Sequence, residues 1–219
     1  MDNFVNFLIS FAASLVAIVV VLYIERQRRP LLKFCVLPPT VVPAGDKLRP
    51  ECSWLQIEVT NVPCVPWIAW VYTREPAFSC RAFVSFHCTC GTRLLPGEMQ
   101  ARWSGTVEPR PEVVKVKGGQ GVYLRDTFPS VDIHANHKEP IHPVVVFPQP
   151  FRAFGWTNES YLHGWRHPQW EIPHDEFVLK LRLTTADRDF VACFRVELSG
   201  GYGALRVTQL DPEFNRRYC

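Results

Sequence analysis

Hydrophobic and polar positions divide this chain into one long apolar run and a series of short alternating segments. No charged residue occurs from Phe4 to Ile24, and a helix of that length reaches about 31 Å, which matches the hydrocarbon core of a bilayer. Buried core helices are usually shorter and carry a polar stripe, so the run predicts a transmembrane helix. We expect no cleavage as a signal peptide, because only Met1, Asp2 and Asn3 precede the run and a basic segment follows it.

Charges at the two ends of the apolar run predict how it crosses the membrane. Arg26, Arg28 and Arg29 follow the run, whereas Asp2 precedes it. Lys and Arg near a span are retained on the cytoplasmic side. The sequence therefore predicts a single-pass protein of the plasma (inner) membrane, with the C-terminal domain in the cytoplasm. In that reducing compartment we expect the 8 Cys to be thiols.

Two-residue alternation after the apolar run is typical of half-buried strands. The clearest segments are Trp54–Thr60, Cys80–His87, Phe177–Thr184 and Phe190–Leu198. The last two flank a polar turn and predict a hairpin with one face on a core. Weaker candidate strands are Leu31–Leu37, Val113–Val116, Gly121–Leu124 and Val144–Phe147, and the Pro-rich stretch from Pro38 to Pro50 is interpreted as a loop.

These elements predict an all-β fold, an antiparallel immunoglobulin-like β-sandwich preceded by one N-terminal transmembrane helix. We divide the chain into an anchor with a basic stop segment (1–29), the sandwich domain (30–198) and a C-terminal tail (199–219). With 24 Lys+Arg against 21 Asp+Glu, the net charge of +3 excludes nucleic-acid binding driven by bulk charge, and we expect no nucleic-acid partner.

Several short motifs, taken in order, resemble those of one protein group. They are Leu55-Gln-Ile-Glu-Val-Thr-Asn61, Arg74-Glu-Pro-Ala-Phe-Ser-Cys80-Arg-Ala-Phe-Val-Ser-Phe86, Met99-Gln-Ala-Arg-Trp103-Ser, Glu108-Pro109, Gly155-Trp-Thr-Asn-Glu-Ser-Tyr161 and Trp165-Arg-His-Pro-Gln-Trp170. Their order resembles an uncharacterised group of prokaryotic proteins with a single-span membrane anchor and an immunoglobulin-like β-sandwich domain. The resemblance implies the same anchor and fold for this chain, and it implies no activity.

The stretch from Phe154 to Trp170 is unusually rich in aromatic and polar side chains. Flat rings with polar tips supply rigid contact area at low entropy cost, which suits a binding surface. A crossover loop whose rings seal the end of the sandwich is the alternative interpretation. The candidate binding residues are Trp156, Asn158, Glu159, Tyr161, Trp165, Arg166 and Trp170.

Two groups of residues are candidate metal ligands. The first is Cys80, His87, Cys88 and Cys90, but the Cys88-Thr-Cys90 spacing is one residue short of a zinc knuckle, and on a strand the two sulfurs would lie about 7 Å apart. The histidines His134, His137 and His142 lack the His-Glu-x-x-His spacing of a zinc helix. We therefore expect no metal site and no cofactor.

The leading hypothesis is a membrane-anchored, non-enzymatic interaction module or an accessory subunit of a membrane complex. Its partners would be the bilayer, through residues 4–24, and another membrane or cytoplasmic protein. The small residues Ala12, Ala13, Ser14 and Ala17 would permit close packing against other membrane helices. The alternative is a membrane-anchored metal-dependent hydrolase that uses the three histidines.

Overall fold

The computed structural model describes residues 2–43, 51–66, 69–70, 73–106, 111–116, 119–124, 130–148, 151–162, 166–198 and 205–211. Its helices are α1 (Asp2–Arg28), α2 (Asn158–Leu162) and a 3₁₀ turn (Pro168–Trp170). Its strands are β1 (Leu32–Val42), β2 (Cys52–Asn61), β3 (Ala77–His87), β4 (Met99–Gln100), β5 (Pro111–Val116), β6 (Gly119–Leu124), β7 (Val131–Ile133), β8 (Lys138–Pro148), β9 (Phe151–Gly155), β10 (Glu171–Ile172), β11 (Glu176–Thr184), β12 (Asp189–Leu198) and β13 (Leu205–Gln209).

The N-terminal apolar run forms α1, as the sequence predicts. From Phe4 to Arg28 the helix is long and apolar enough to cross a membrane, and none of its most apolar window is buried against the rest of the protein. It ends ahead of Pro30, which lacks a backbone N–H and disfavours helical geometry in the residue before it. That it crosses a membrane, and in which direction, stays a prediction.

The remaining chain forms antiparallel sheets, as predicted. The first sheet has the order β1-β2-β8-β9-β10, and the second has the order β13-β12-β11-β3-β4, with β7 paired to β3. A separate two-stranded ribbon consists of β5 and β6, which are the two weaker candidates Val113–Val116 and Gly121–Leu124. All strand pairings in the two main sheets are antiparallel.

The core lies between the two main sheets and follows the predicted alternation. Leu55, Ile57 and Val59 of β2 are fully buried, and so are the alternating apolar residues of β11. The sheets approach closely at Gly155, where an added Cβ would lie 3.0 Å from a Leu95 methyl carbon and 3.2 Å from the Phe86 ring. Glycine suits this position, because a Cβ would require the Leu95 and Phe86 side chains to shift.

The structure differs from the sequence predictions in the extent of two segments. The predicted hairpin is confirmed as β11–β12, but β1 runs through Pro38 and Pro39 to Val42, where a loop was predicted. Proline is tolerated there because β1 is an edge strand, and its pairing with β2 shifts register between Leu37 and Thr40. The predicted tail, 199–219, contains β13, which adds an edge to the second sheet. The predicted loop residues 44–50 lie outside the described part of the chain.

The expectation that all cysteines are thiols is wrong at one site. Cys88 and Cys90 form a disulfide with a Cα–Cα distance of 5.2 Å. The prediction assumed an extended strand, but β3 ends at His87 and the chain turns immediately, with Gly91 at a φ of 95°. The turn brings the two sulfurs together. The other cysteines that the structure describes are thiols outside this bond: Cys35, Cys52, Cys64, Cys80 and Cys193.

Candidate functional site

The predicted aromatic stretch folds over the outer face of the first sheet. Because Gly155 faces the second sheet, Phe154 next to it in β9 faces outward, where its ring meets Phe147 edge to face at 5.9 Å. The Arg166 guanidinium lies 4.7 Å from the centre of the same Phe147 ring. Trp170 is buried at the end of the stretch. The segment that follows β9 therefore covers apolar side chains of β8 and β9.

Four aromatic side chains from separate elements come together on this face, and we call Trp54, His142, Trp156 and Tyr161 the aromatic surface. Trp156 meets Trp54 edge to face with ring centres 4.7 Å apart, and meets Tyr161 in the same way at 5.6 Å. The Trp54 and His142 rings are 5.8 Å apart. All four side chains are partly exposed. Edge-to-face contacts hold such rings in fixed orientations while leaving part of each accessible.

A buried arginine supports the aromatic surface from below. Arg102 is only 5% exposed, and its Nη1 donates a hydrogen bond of 3.2 Å to the Asn158 side-chain oxygen. Its guanidinium carbon lies 4.2 Å from the centre of the Tyr161 ring. A cation that lies against a ring face is attracted by the ring's quadrupole. Arg102 and Asn158 therefore fix the position of Tyr161.

The short helix α2 is held at its start by hydrogen bonds between side chains and backbone. The Ser160 backbone N–H donates to the Thr157 hydroxyl at 3.1 Å, and the Thr157 N–H donates to the Ser160 hydroxyl at 2.9 Å. This reciprocal arrangement satisfies backbone donors that an uncapped helix would leave without partners. Both oxygens of Glu159 accept the Gln100 backbone N–H at 3.1 Å, which ties α2 to β4 of the second sheet.

His142 belongs to the aromatic surface and is neutral there. Its Nε2 lies 2.8 Å from Nε2 of Gln56, so the amide N–H donates and the imidazole nitrogen accepts. Burial lowers the pKa of His142, because a charged imidazolium would lose hydration. A neutral ring beside an amide gives this surface a polar edge without a net charge.

The structure does not bring the three candidate histidines together as a metal centre. The His134 and His137 rings lie 6.4 Å apart ahead of β8, whereas His142 lies within β8 beside Gln56. Within the described ranges, no three His, Cys, Asp or Glu side chains form a group that could hold a metal ion.

The other candidate ligand group is occupied by protein contacts. The Cys88 and Cys90 sulfurs are bonded to each other. His87 is buried, with Ser85 Oγ 2.9 Å from its Nε2 and the Gly91 carbonyl 3.3 Å from its Nδ1, and burial lowers its pKa. Burial raises the pKa of Cys80 to about 11, which disfavours the thiolate that binds metals.

The structure places the seven predicted binding residues in different environments. Trp156, Glu159 and Tyr161 are partly exposed, and Arg166 is exposed. Asn158 and Trp170 are buried, so a partner docking on the surface would not touch them. Trp165 lies outside the described residues.

Sequence reasoning missed four residues of this site: Trp54, Gln56 and Arg102, and also His142 as a member of an aromatic group. One signal was present, because Trp54 and Gln56 occupy outward positions of a strand whose Leu55 and Ile57 point inward. A tryptophan on the polar face of an alternating strand indicates a covered or binding face.

In comparisons with known proteins, no family model, no curated protein and no solved structure matches this chain. The resemblance to membrane-anchored prokaryotic proteins therefore stays a prediction from the sequence.

Proposed function

We propose that this protein is a membrane-anchored, non-enzymatic interaction module. In this proposal, α1 holds an immunoglobulin-like sandwich at the cytoplasmic face of the plasma (inner) membrane, and the aromatic surface binds another protein. The observation that carries the proposal is the aromatic surface itself, with neighbouring ring centres 4.7 to 5.8 Å apart and every ring partly exposed.

The way these rings are held supports binding. Large aromatic side chains dominate the energetics of protein interfaces, above all where their orientation is fixed before the partner arrives. Here Arg102 and Asn158 fix Tyr161, and edge-to-face contacts fix Trp156. Gln56 and His142 supply a neutral polar edge, which suits the mixture of apolar centre and polar rim found in protein interfaces.

The proposed orientation depends on the basic residues after the span. Arg26 and Arg28 lie in the last turn of α1, and positive charge at this end favours retention in the cytoplasm. The Cys88–Cys90 disulfide counts against a reducing compartment. Because Cys90 is exposed, cytoplasmic thiols would reach it, and the proposal therefore requires this pair to be reduced in the cell.

Enzymatic alternatives receive no support from the site. The metal-dependent hydrolase would need His134, His137 and His142 around one ion, and the described geometry separates His142 from the other two. The accessory-subunit form of the proposal differs only in the partner, which would then be another membrane protein packed beside α1.

Quantitative capture of partners from detergent-solubilised membranes tests the proposal. Full-length protein is compared with Trp156→Ala and Tyr161→Ala, and with Arg195→Ala as the matched control on the second sheet. Arg195 is an exposed side chain on β12. We expect recovery of specific partners to fall at least about tenfold for the two aromatic variants, because truncating an interface hot spot costs about 2 kcal/mol or more.

Thermal unfolding confirms that each variant remains folded, and Arg195→Ala should capture the same partners as the unmodified protein. Equal recovery by folded Trp156→Ala and Tyr161→Ala would contradict the proposed binding surface.

A further inference from the structure

The connection between β2 and β3 contains an uncharged, largely apolar segment, and most of its described residues are exposed. From residue 62 to residue 72 the sequence is Val-Pro-Cys-Val-Pro-Trp-Ile-Ala-Trp-Val-Tyr, without a charge. Trp70 is 83% exposed and Val65 is 50% exposed. Moving a tryptophan with that much exposed apolar surface out of water is favourable.

Both ends of this segment are fastened to the point where α1 ends. The Val62 N–H donates to the Leu31 carbonyl at 2.9 Å, and the Glu75 N–H donates to the Arg28 carbonyl at 2.7 Å. Arg28 also forms an ion pair with the Glu75 carboxylate at 3.2 Å. The segment therefore leaves and re-enters the fold within one turn of the end of the apolar helix.

A buried asparagine closes the base of the segment. The Asn61 side-chain oxygen accepts the Leu31 N–H at 3.2 Å, and its amide donates to the Glu75 carbonyl at 2.9 Å. Arg74 adds a hydrogen bond of 2.7 Å to the Arg29 carbonyl. The contacts of Glu75 and Arg74 give hydrogen-bond partners to carbonyls that the end of the helix leaves free, and they connect the domain to the end of α1.

The last turn of α1 is less exposed on one face than the rest of the helix. Ile24, Gln27 and Arg28 share one helix face and are partly covered, whereas the described side chains from Phe4 to Tyr23 are exposed. Ile24 lies about 6 Å below Arg28 along the helix axis. That depth is the interfacial layer of a bilayer crossed by α1, where tryptophan and tyrosine are enriched.

We propose that the uncharged segment with Val65 and Trp70 inserts into the headgroup layer beside α1 and forms a second attachment to the same leaflet. This inference rests on the proposed membrane anchoring by α1. The segment carries no charge to compensate, and the end of α1 to which it is fastened carries the exposed basic residues Arg26 and Arg29, which would meet lipid phosphates. Lipid is therefore favoured over a protein partner as the occupant. Two attachment points would hold the sandwich at a fixed tilt to the membrane.

Tryptophan quenching in lipid nanodiscs tests the insertion. Full-length protein is reconstituted in phosphatidylcholine nanodiscs with bromine atoms either near the headgroup or near the chain ends. The emission difference between unmodified protein and Trp70→Phe reports Trp70 alone among the 7 tryptophans. We expect bromine near the headgroup to quench this difference spectrum strongly, and bromine near the chain ends to quench it less.

Trp156→Phe is the matched control, because Trp156 directly follows β9 and its ring packs against Trp54 in β2, away from the end of α1. Its difference spectrum should be unaffected by either lipid. If Trp70 emission is unquenched in discs that carry the protein, the segment does not insert, and a protein partner becomes its occupant. If the protein fails to associate with the discs at all, the anchoring by α1 fails, and this inference fails with it.

Discussion

The outer faces of the two main sheets are built in contrasting ways. On the second sheet, Arg195 pairs with Glu176 at 2.7 Å and with Glu197 at 3.3 Å, and all three side chains are well exposed. Arg182 likewise pairs with Glu98 and with Asp189. On the first sheet, the outer face carries aromatic rings that pack on one another, such as Phe147 and Phe154, and the Arg166 guanidinium lies over the Phe147 ring.

The two faces differ in how firmly their outer side chains are held in place. Exposed ion pairs contribute about 0 to 1 kcal/mol each to the free energy of unfolding, and their charged groups are solvated without any covering segment. The first sheet instead orders a whole segment, through Arg102, Asn158, Thr157 and Ser160, and still leaves the rings of the aromatic surface partly open. A face whose exposed rings are held in place by buried side chains is suited to binding a partner. A face of solvated ion pairs needs no partner, because water already satisfies its charges.

The largest effect is expected where the supporting network is cut. Arg102→Ala removes the partner of Asn158 and the cation under Tyr161, so it should lower the free energy of unfolding by about 3 kcal/mol. Arg195→Ala, on the second sheet, should change it by no more than about 0.5 kcal/mol. Urea unfolding of both variants measures the contrast. Equal losses would mean that the two faces do not differ in the way described.

A smaller effect is expected at the turn that ends β3. The disulfide closes a very short loop, Cys88 to Cys90, so in the chain-entropy model its loss costs about 1.6 kcal/mol. Cys88→Ser with Cys90→Ser should show that loss in unfolding under non-reducing conditions, and no loss relative to the unmodified protein when both are reduced. A mass unchanged on reduction would show that the bond is absent from the purified protein.

Acid should destabilise the fold through its buried histidines. Burial lowers the pKa of His87 and of His142 in the folded state. The unfolded chain, with an ordinary histidine pKa near 6.5, then binds more protons, so stability is retained above about pH 6.5 and falls as the pH drops below it. Each histidine contributes a slope of at most about 1.4 kcal/mol per pH unit.

The variant His142→Gln separates the contributions of the two histidines. It should reduce the slope of the unfolding free energy against pH between pH 6.5 and 5 by the part due to His142. The slope that remains should be due to His87. An unchanged slope in His142→Gln would show that His142 is not held neutral by its surroundings.

The smallest effect is expected for the ion pairs of the second sheet. Hydrogen bonding to Arg182 lowers the pKa of Glu98, and Arg182 Nε donates to Glu98 Oε1 at 2.9 Å. A double-mutant cycle with Arg182→Met and Glu98→Gln should give a coupling below about 1 kcal/mol at neutral pH, decreasing with added salt. Because the folded pKa of Glu98 is depressed, its contribution is present above about pH 4.5 and lost as the pH falls through the folded value. A coupling of several kcal/mol would contradict the solvated character of this face.

The contrast between the faces also explains what the sequence could predict. On the second sheet, inward residues such as Leu179 and Leu181 alternate with polar Lys180 and Arg182, so periodicity identifies the strand and its core face. On the first sheet, β8 has consecutive buried residues from Val144 to Phe147, because a covering segment removes the polar face. Periodicity weakens wherever both faces of a strand are buried.

The aromatic surface could be predicted only in part. Trp156 and Tyr161 are close in sequence, and the aromatic stretch identifies them. Trp54 and His142 join them only through the pairing of β2 with β8, which includes a register shift between Leu55 and Ile57. Such long-range register is set by packing and leaves no local pattern. The Cys88–Cys90 bond was missed for a similar reason, since it depends on where β3 ends.

The central claim, that the aromatic surface is where the protein meets its partner, is tested most directly by site-specific crosslinking in intact cells. A photoreactive phenylalanine analogue is placed at Tyr161 in one full-length variant and at Arg195 in another. We predict that illumination gives a discrete crosslinked protein species from position 161 and none from position 195. Crosslinking of the same species from position 195, or no crosslinking from position 161 in a folded and membrane-inserted variant, would contradict the account.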